Sequence, residues 1–153
     1  MLFLLFRMGE DRYAIEARSV AEVLPLLDVK QIPLAPAAVL GAFNYRGTAV
    51  PLIDLSQLAL GRPALPRLST RIMLVNYPDG RGGTRLLGLL AEHVTDTISR
   101  SPTEFQDSGV NLPDARYLGP VTHDEHGLVQ WVRIEALLPD NVRDLLFQEA
   151  EAA

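Results

Sequence analysis

Gly41-Ala-Phe-Asn-Tyr-Arg-Gly-Thr-Ala-Val-Pro-Leu-Ile-Asp-Leu-Ser-Gln-Leu-Ala-Leu60 sets two glycines around Ala-Phe-Asn-Tyr-Arg and then runs into an apolar segment interrupted by Pro51. Glycine at such points serves close backbone approach or a positive φ. Pro51 has no N–H to give to a ladder, so the strand that contains it is expected at an edge or beside a bulge. Asp54 followed by Gln57 predicts a capped start to a short helical turn, closing near Gly61. Arg46 is the single charge between Gly41 and Ile53. It is either an ordinary surface or salt-bridged residue, or a planar fork of donors offered to a partner's carboxylates and carbonyls.

Outward from this segment, short apolar stretches recur between turn-forming residues. Leu2–Met8 and Arg12–Ala17 flank Gly9-Glu-Asp11. Arg71–Tyr77 and Thr84–Leu90 flank Pro78-Asp-Gly-Arg-Gly-Gly83, and Leu118–Thr122 and Leu128–Ile134 flank His123-Asp-Glu-His-Gly127. Three hairpins are predicted. Helical spacing appears only near the end, where Pro139 and Asp140 start a helix with Val142, Leu145 and Leu146 on one face. The chain is mostly β.

The pattern also echoes itself. Tyr13–Val23 and Leu87–Thr97, 74 residues apart, share an apolar start, a central valine (Val20, Val94) and an acid two residues later (Glu22, Asp96). Pro51–Leu58 is echoed 79 residues on by Gln130–Leu137, each after a glycine (Gly47, Gly127). A duplicated unit follows, and two small closed barrels fit the spacing while removing free sheet edges.

Composition narrows the function. A chain of 153 residues is expected to form one domain that buries about 70% of the surface its unfolded form exposes. With 48% apolar and 22% charged residues it has the make-up of a globular protein. A net charge of −5 repels polyphosphate and argues against nucleic acid. The absence of cysteine excludes disulfides, thiolate metal sites and a cysteine nucleophile. Met1–Phe6 is apolar but too short for a signal core or a membrane span, so a soluble cytoplasmic protein is expected.

Catalytic patterns are sparse. His123-Asp-Glu-His126 is the one dense titratable cluster; it lacks the HExxH order and falls in a hairpin turn, where a solvated role is the simpler one. A small metal-dependent hydrolase centred on His123 and His126 is the alternative it offers. His93 stands alone in an apolar stretch and suits a strand or edge position. Gly80-Arg-Gly-Gly83 lacks the Lys and Ser/Thr of a phosphate loop and reads as a flexible hairpin loop.

Asn44-Tyr-Arg-Gly47, followed by Val50-Pro-Leu-Ile-Asp-Leu55, resembles the signature of CheW-like domains, in which N-x-R-G precedes V-P, two hydrophobic residues and D-L. Tyr13-Ala-Ile-Glu16, Val20-Ala-Glu-Val23 and Ile32-Pro33 are similar to that family's upstream elements, in the same order. Arg71–Val75, Leu87–Val94 and Tyr117–Leu138 continue the likeness over nearly the whole chain. The resemblance implies two SH3-like five-stranded barrel lobes, near residues 1–66 and 67–138 with strands free to cross between them, short helical turns, and a C-terminal helix over 139–150. It implies a non-enzymatic adaptor with no cofactor and no metal, recruited from the cytoplasm to membrane-associated receptor arrays without inserting into the membrane. Its partners would be the regulatory domain of a CheA-like histidine kinase and the cytoplasmic tip of a methyl-accepting chemoreceptor. The alternative within the same class is a module that binds the kinase but no receptor.

The receptor-binding positions carried over by the resemblance are Val20, Glu22, Gly41, Arg46 and Gly47, with Asn44 of the same motif; no kinase-binding residue is assigned. Glu22 keeps a second reading, because Ser19-Val-Ala-Glu22 spells a capping box, and Val20 one as a core residue. The sequence departs from the family pattern in a long polar connection over Ser99–Arg116, in an unusually apolar Leu24–Val29, and in Arg133 at the position echoing Asp54. These departures point to an accessory paralogue in an alternative array, such as a surface-sensing pathway with cyclic-di-GMP output.

Overall fold

A computed structural model describes residues 1–148. Nine strands follow in order: β1 (Leu2–Met8), β2 (Asp11–Glu16), β3 (Val20–Leu24), β4 (Val39–Tyr45), β5 (Thr48–Asp54), β6 (Arg71–Pro78), β7 (Thr84–Ser99), β8 (Leu118–Asp124) and β9 (Gly127–Val132). Helix α1 (Leu55–Leu60) follows β5 and α2 (Asp140–Leu146) lies near the end; the remaining helical structure is short 3-10 turns.

Strand pairing resolves into two five-stranded sheets that share β7. The first sheet runs from the second half of β7 through β1, β2 and β9 to β8. The second runs from β3 through β6, the first half of β7 and β5 to β4. The two are built alike. Each has an antiparallel hairpin (β1–β2, β6–β7) and one parallel pairing, β2 with β9 and β7 with β5. Each also takes its edge strand from the other hairpin's continuation: β3 leaves β2 to pair with β6, and β7 leaves β6 to pair with β1. The echoes at 74 and 79 residues are this two-fold repeat, and β3 and the far half of β7 cross between its halves.

The core explains the apolar runs. Phe3 and Leu5 of β1 enter a small cluster inside the first sheet with Ala14, Phe105 and Val129. Phe6 and Met8 enter the large central cluster between the sheets, with Leu4 packed against it. β6 does the same, with Ile72 and Leu74 inside the second sheet and Met73, Val75 and Tyr77 in the central cluster. Both strands are buried on both faces, so their sequences are continuous rather than alternating.

Local signals are read accurately around β5. Asp54 caps α1, its carboxylate accepting the Gln57 N–H at 3.2 Å and, through the other oxygen, the Ala64 N–H at 3.0 Å. Gly61 ends the helix at φ +72°. Pro51 lies where β5 has only β4 beside it, for the pairing with β7 begins at Leu52.

Three expectations are corrected. Thr84–Leu90 is the start of a strand that continues to Ser99, through an irregular stretch where Leu5 and Arg7 of β1 face Asp96 and Glu92. The capping box at Ser19–Glu22 does not form: Val20 opens β3, and Glu22 is paired with Leu74 of β6. The same spacing at Ser101–Glu104 does make a capping box, because Pro102 presets the first helical φ while no strand competes for the segment. In α2, Val142 and Leu146 pack on the central cluster but Leu145 is 49% exposed; buried Phe147 completes that face, its ring 5.9 Å from Tyr77. The expected helix over 139–150 is shorter, α2 ending at Leu146 with Phe147 as its C-cap; residues 149 and 150 lie outside the described residues.

Candidate functional site

Asn44–Thr48 forms the tip of the β4–β5 hairpin. Arg46 and Gly47 form a two-residue loop with φ of +50° and +88°, the type I′ geometry that matches the twist of the flanking strands. Asn44 braces it, its side-chain oxygen accepting the Gly47 N–H at 2.8 Å. Arginine at a left-handed position is strained by about 1–2 kcal/mol. The family motif N-x-R-G is thus a turn that holds a cation outward at a conformational cost.

The tip is tied to β3. The Tyr45 hydroxyl donates to Glu22 at 2.5 Å, joining the outer strands β4 and β3 of the second sheet. This hydrogen bond, with partial burial, raises the Tyr45 pKa and keeps the phenol protonated. The Arg46 guanidinium carbon lies 5.0 Å from the centre of the Tyr45 ring, and its nitrogen is 3.9 Å from the Glu22 carboxylate. At 80% exposure this contact orients the arginine and stabilises little.

The six expected positions therefore separate. Asn44, Arg46, Gly47 and Glu22 converge on one surface at the hairpin tip. Gly41 is buried beneath the crossing segment at Val29 and Lys30, where a Cβ would come 2.1 Å from the Lys30 carbonyl oxygen. Lys30 and Ala42 exchange two backbone hydrogen bonds of 2.9 Å across this crossing. Val20 is half-buried against the central cluster. Tyr45, which links Arg46 to Glu22, was not singled out in the sequence; its place inside the motif was the available signal. The apolar Leu24–Val29 stretch leaves Leu26 and Leu27 exposed, 43% and 40%.

The second hairpin tip has other work. Asp124 of β8 accepts two bonds from the Arg12 guanidinium, at 2.7 and 2.8 Å, and the His126 N–H at 2.8 Å. The Arg12 fork, foremost, holds the Asp124 carboxyl well below the usual carboxylate range. Among the described residues no three His, Asp or Glu side chains are placed to hold a metal ion, and a hydrolase centred on His123 and His126 finds no support. No helix among them is long and apolar enough to cross a membrane.

Known proteins share this fold and identify the family. The chain is 29% identical over 141 residues to the chemotaxis protein CheW of Rhizobium meliloti (strain 1021), covering 91% of this chain and 88% of that protein. It is 28% identical over 138 residues to the chemotaxis protein CheW of Helicobacter pylori, covering 89% and 80%. The crystal structure of the scaffolding protein TtCheW from Thermoanaerobacter tengcongensis has the same fold, with a TM-score of 0.77 at 19% identity over 92% of this chain and 89% of that one. With the CheW-like domain model matching residues 2–142, the chain belongs to the CheW-like family of non-enzymatic chemotaxis scaffolds.

Proposed function

We propose that this scaffold couples the cytoplasmic tip of a methyl-accepting chemoreceptor to the regulatory domain of a CheA-type histidine kinase, and that the receptor docks at the β4–β5 hairpin tip. The observation that carries the reading is Arg46: strained, 80% exposed, oriented by Tyr45 and Glu22, yet without a side-chain hydrogen bond among the described residues. A receptor tip is a polar helical hairpin. A fixed guanidinium beside a carboxylate offers it donors and an acceptor in one register, while rigid support limits the ordering needed on binding. Gly47 leaves the approach open, since beyond its chain neighbours no atom of the described residues lies within 4 Å of where its Cβ would be. Gly41 and Val20 serve the site indirectly, by allowing the crossing at Lys30 and by seating β3.

The working unit is the whole domain over residues 1–153, both lobes together, in the cytoplasm at receptor arrays. The test is reconstitution: purified protein, a CheA-type kinase and receptor cytoplasmic fragments, read by co-sedimentation and by receptor-dependent kinase phosphorylation. Formation of a ternary assembly is expected. Recovery of the kinase alone would favour a module that binds no receptor, and recovery of neither would reject the coupling role.

A further inference from the structure

A cleft of about 400 Å³ lies away from the hairpin tip, where the two sheets meet beside β7. Its walls bring together Arg7 from β1, Arg62 and Arg67 from the connection after α1, Ser56 of α1, and His93 where β7 passes between sheets. Glu10 and Glu92 also line it. One Glu92 oxygen accepts the Leu65 N–H at 2.8 Å, which holds that carboxylate against the connection.

Two observations make this a built site. None of the three guanidiniums has a hydrogen bond or ion pair within the described residues, although the chain carries 19 acidic groups against 14 basic ones. Ser56 is only 3% exposed as a residue, and its hydroxyl, without a hydrogen-bond partner among the described residues, opens onto the cleft. An accessible hydroxyl beside three guanidiniums adds a neutral donor for an anion's oxygen.

The repeat supplies an internal comparison. The positions echoing His93 and Ser56 are Ser19 and Glu135, and they line a hollow of only about 30 Å³ with Glu16 and Arg133. The open basic cleft is therefore a property of these residues, not of the repeated architecture.

We infer that this cleft binds a small phosphate-bearing anion, its oxygens taken by the forks of Arg7, Arg62 and Arg67 and by the Ser56 hydroxyl. Arginine forks match phosphoryl oxygens in pairs, and the volume suits a small molecule. The site is independent of receptor docking at Arg46.

The experiment titrates the isotope-labelled full chain with inorganic phosphate, pyrophosphate and acetate at constant ionic strength, following backbone amides by NMR. Saturable shifts at Ser56, Leu65 and His93 are expected, tightest with pyrophosphate and weakest with acetate. Arg62→Gln and Ser56→Ala are each expected to weaken phosphate binding, Arg62→Gln by about tenfold, with melting temperature unchanged. Shifts that fail to saturate, an equal response to acetate, or a folded Arg62→Gln, Arg67→Gln double variant that binds like the parent would overturn the assignment.

Discussion

Replacing Arg46 by glycine separates docking from folding. In the folded chain Arg46 contributes a contact with the Tyr45 ring at 5.0 Å and one with Glu22 at 3.9 Å. At this exposure they stabilise by about 0.5–1 kcal/mol and about 0–1 kcal/mol, respectively. Against them stands the left-handed φ of +50°, which disfavours any L-residue by about 1–2 kcal/mol and glycine hardly at all. Arg46→Gly loses the first contributions and recovers most of the second, so net stability is expected to stay within about 1 kcal/mol, a shift of about 2–4 °C in melting. Arg46→Ala keeps the strain and loses the contacts, and is expected to be the less stable of the two. Both remove the guanidinium, and receptor-fragment affinity is expected to drop by about 2 kcal/mol, roughly thirtyfold. Calorimetric melting and binding to a receptor cytoplasmic fragment give the two readouts. Loss of binding in proportion to loss of melting temperature would refute the reasoning, as would a glycine variant that binds like the parent.

Two further outcomes follow from the geometry. Gly41→Ala drives a methyl to 2.1 Å from the Lys30 carbonyl and is expected to destabilise by about 3 kcal/mol or more in urea unfolding, whereas Gly47→Ala meets no atom and is expected to lose about 1 kcal/mol from backbone strain; similar losses at both positions would contradict the structure. The depressed Asp124 carboxyl adds stability that is present above the ordinary aspartate pKa near about 4 and fades as pH falls toward its lower folded value. Asp124→Asn is therefore expected to flatten the acid limb of the stability–pH curve by about 2 kcal/mol, and parallel acid limbs for parent and variant would count against the Arg12 pair.

The elements legible in the sequence are those whose physics is local or whose burial is complete. β1 and β6 stand out because both faces are covered, and α1 because Asp54 and Gly61 mark its ends within the chain itself. β3 was hidden because Ser19–Glu22 satisfies a local capping rule that pairing with β6 overrides. The far half of β7 was hidden for a different reason: Thr95, Asp96 and Thr97 are exposed, and Asp96 and Thr97 face Leu5 and Leu4 of β1, distant in sequence. Within the site, the motif announced Arg46, Gly47 and Asn44. The Tyr45–Glu22 link depends on two strands meeting across the ends of a curved sheet, which no spacing records. The basic cleft is the extreme case, since Arg7, Ser56, Arg62, Arg67 and His93 come from four separate segments.

The parallel pairing of β2 with β9 has a consequence for synthesis. Every strand of the second sheet, including the near half of β7, has left the ribosome once Ala91 has emerged, so that sheet can assemble while the chain is still growing. The β1–β2 hairpin is made earlier but stays open along β2 until Val129 and Trp131 arrive. In a nascent chain it is an unpaired edge that invites wrong partners. Asp11 and Arg12 at the start of β2 place opposite charges on that waiting edge, and Arg12 later closes it against Asp124. The last-made hairpin thus acts as the latch of the first-made one.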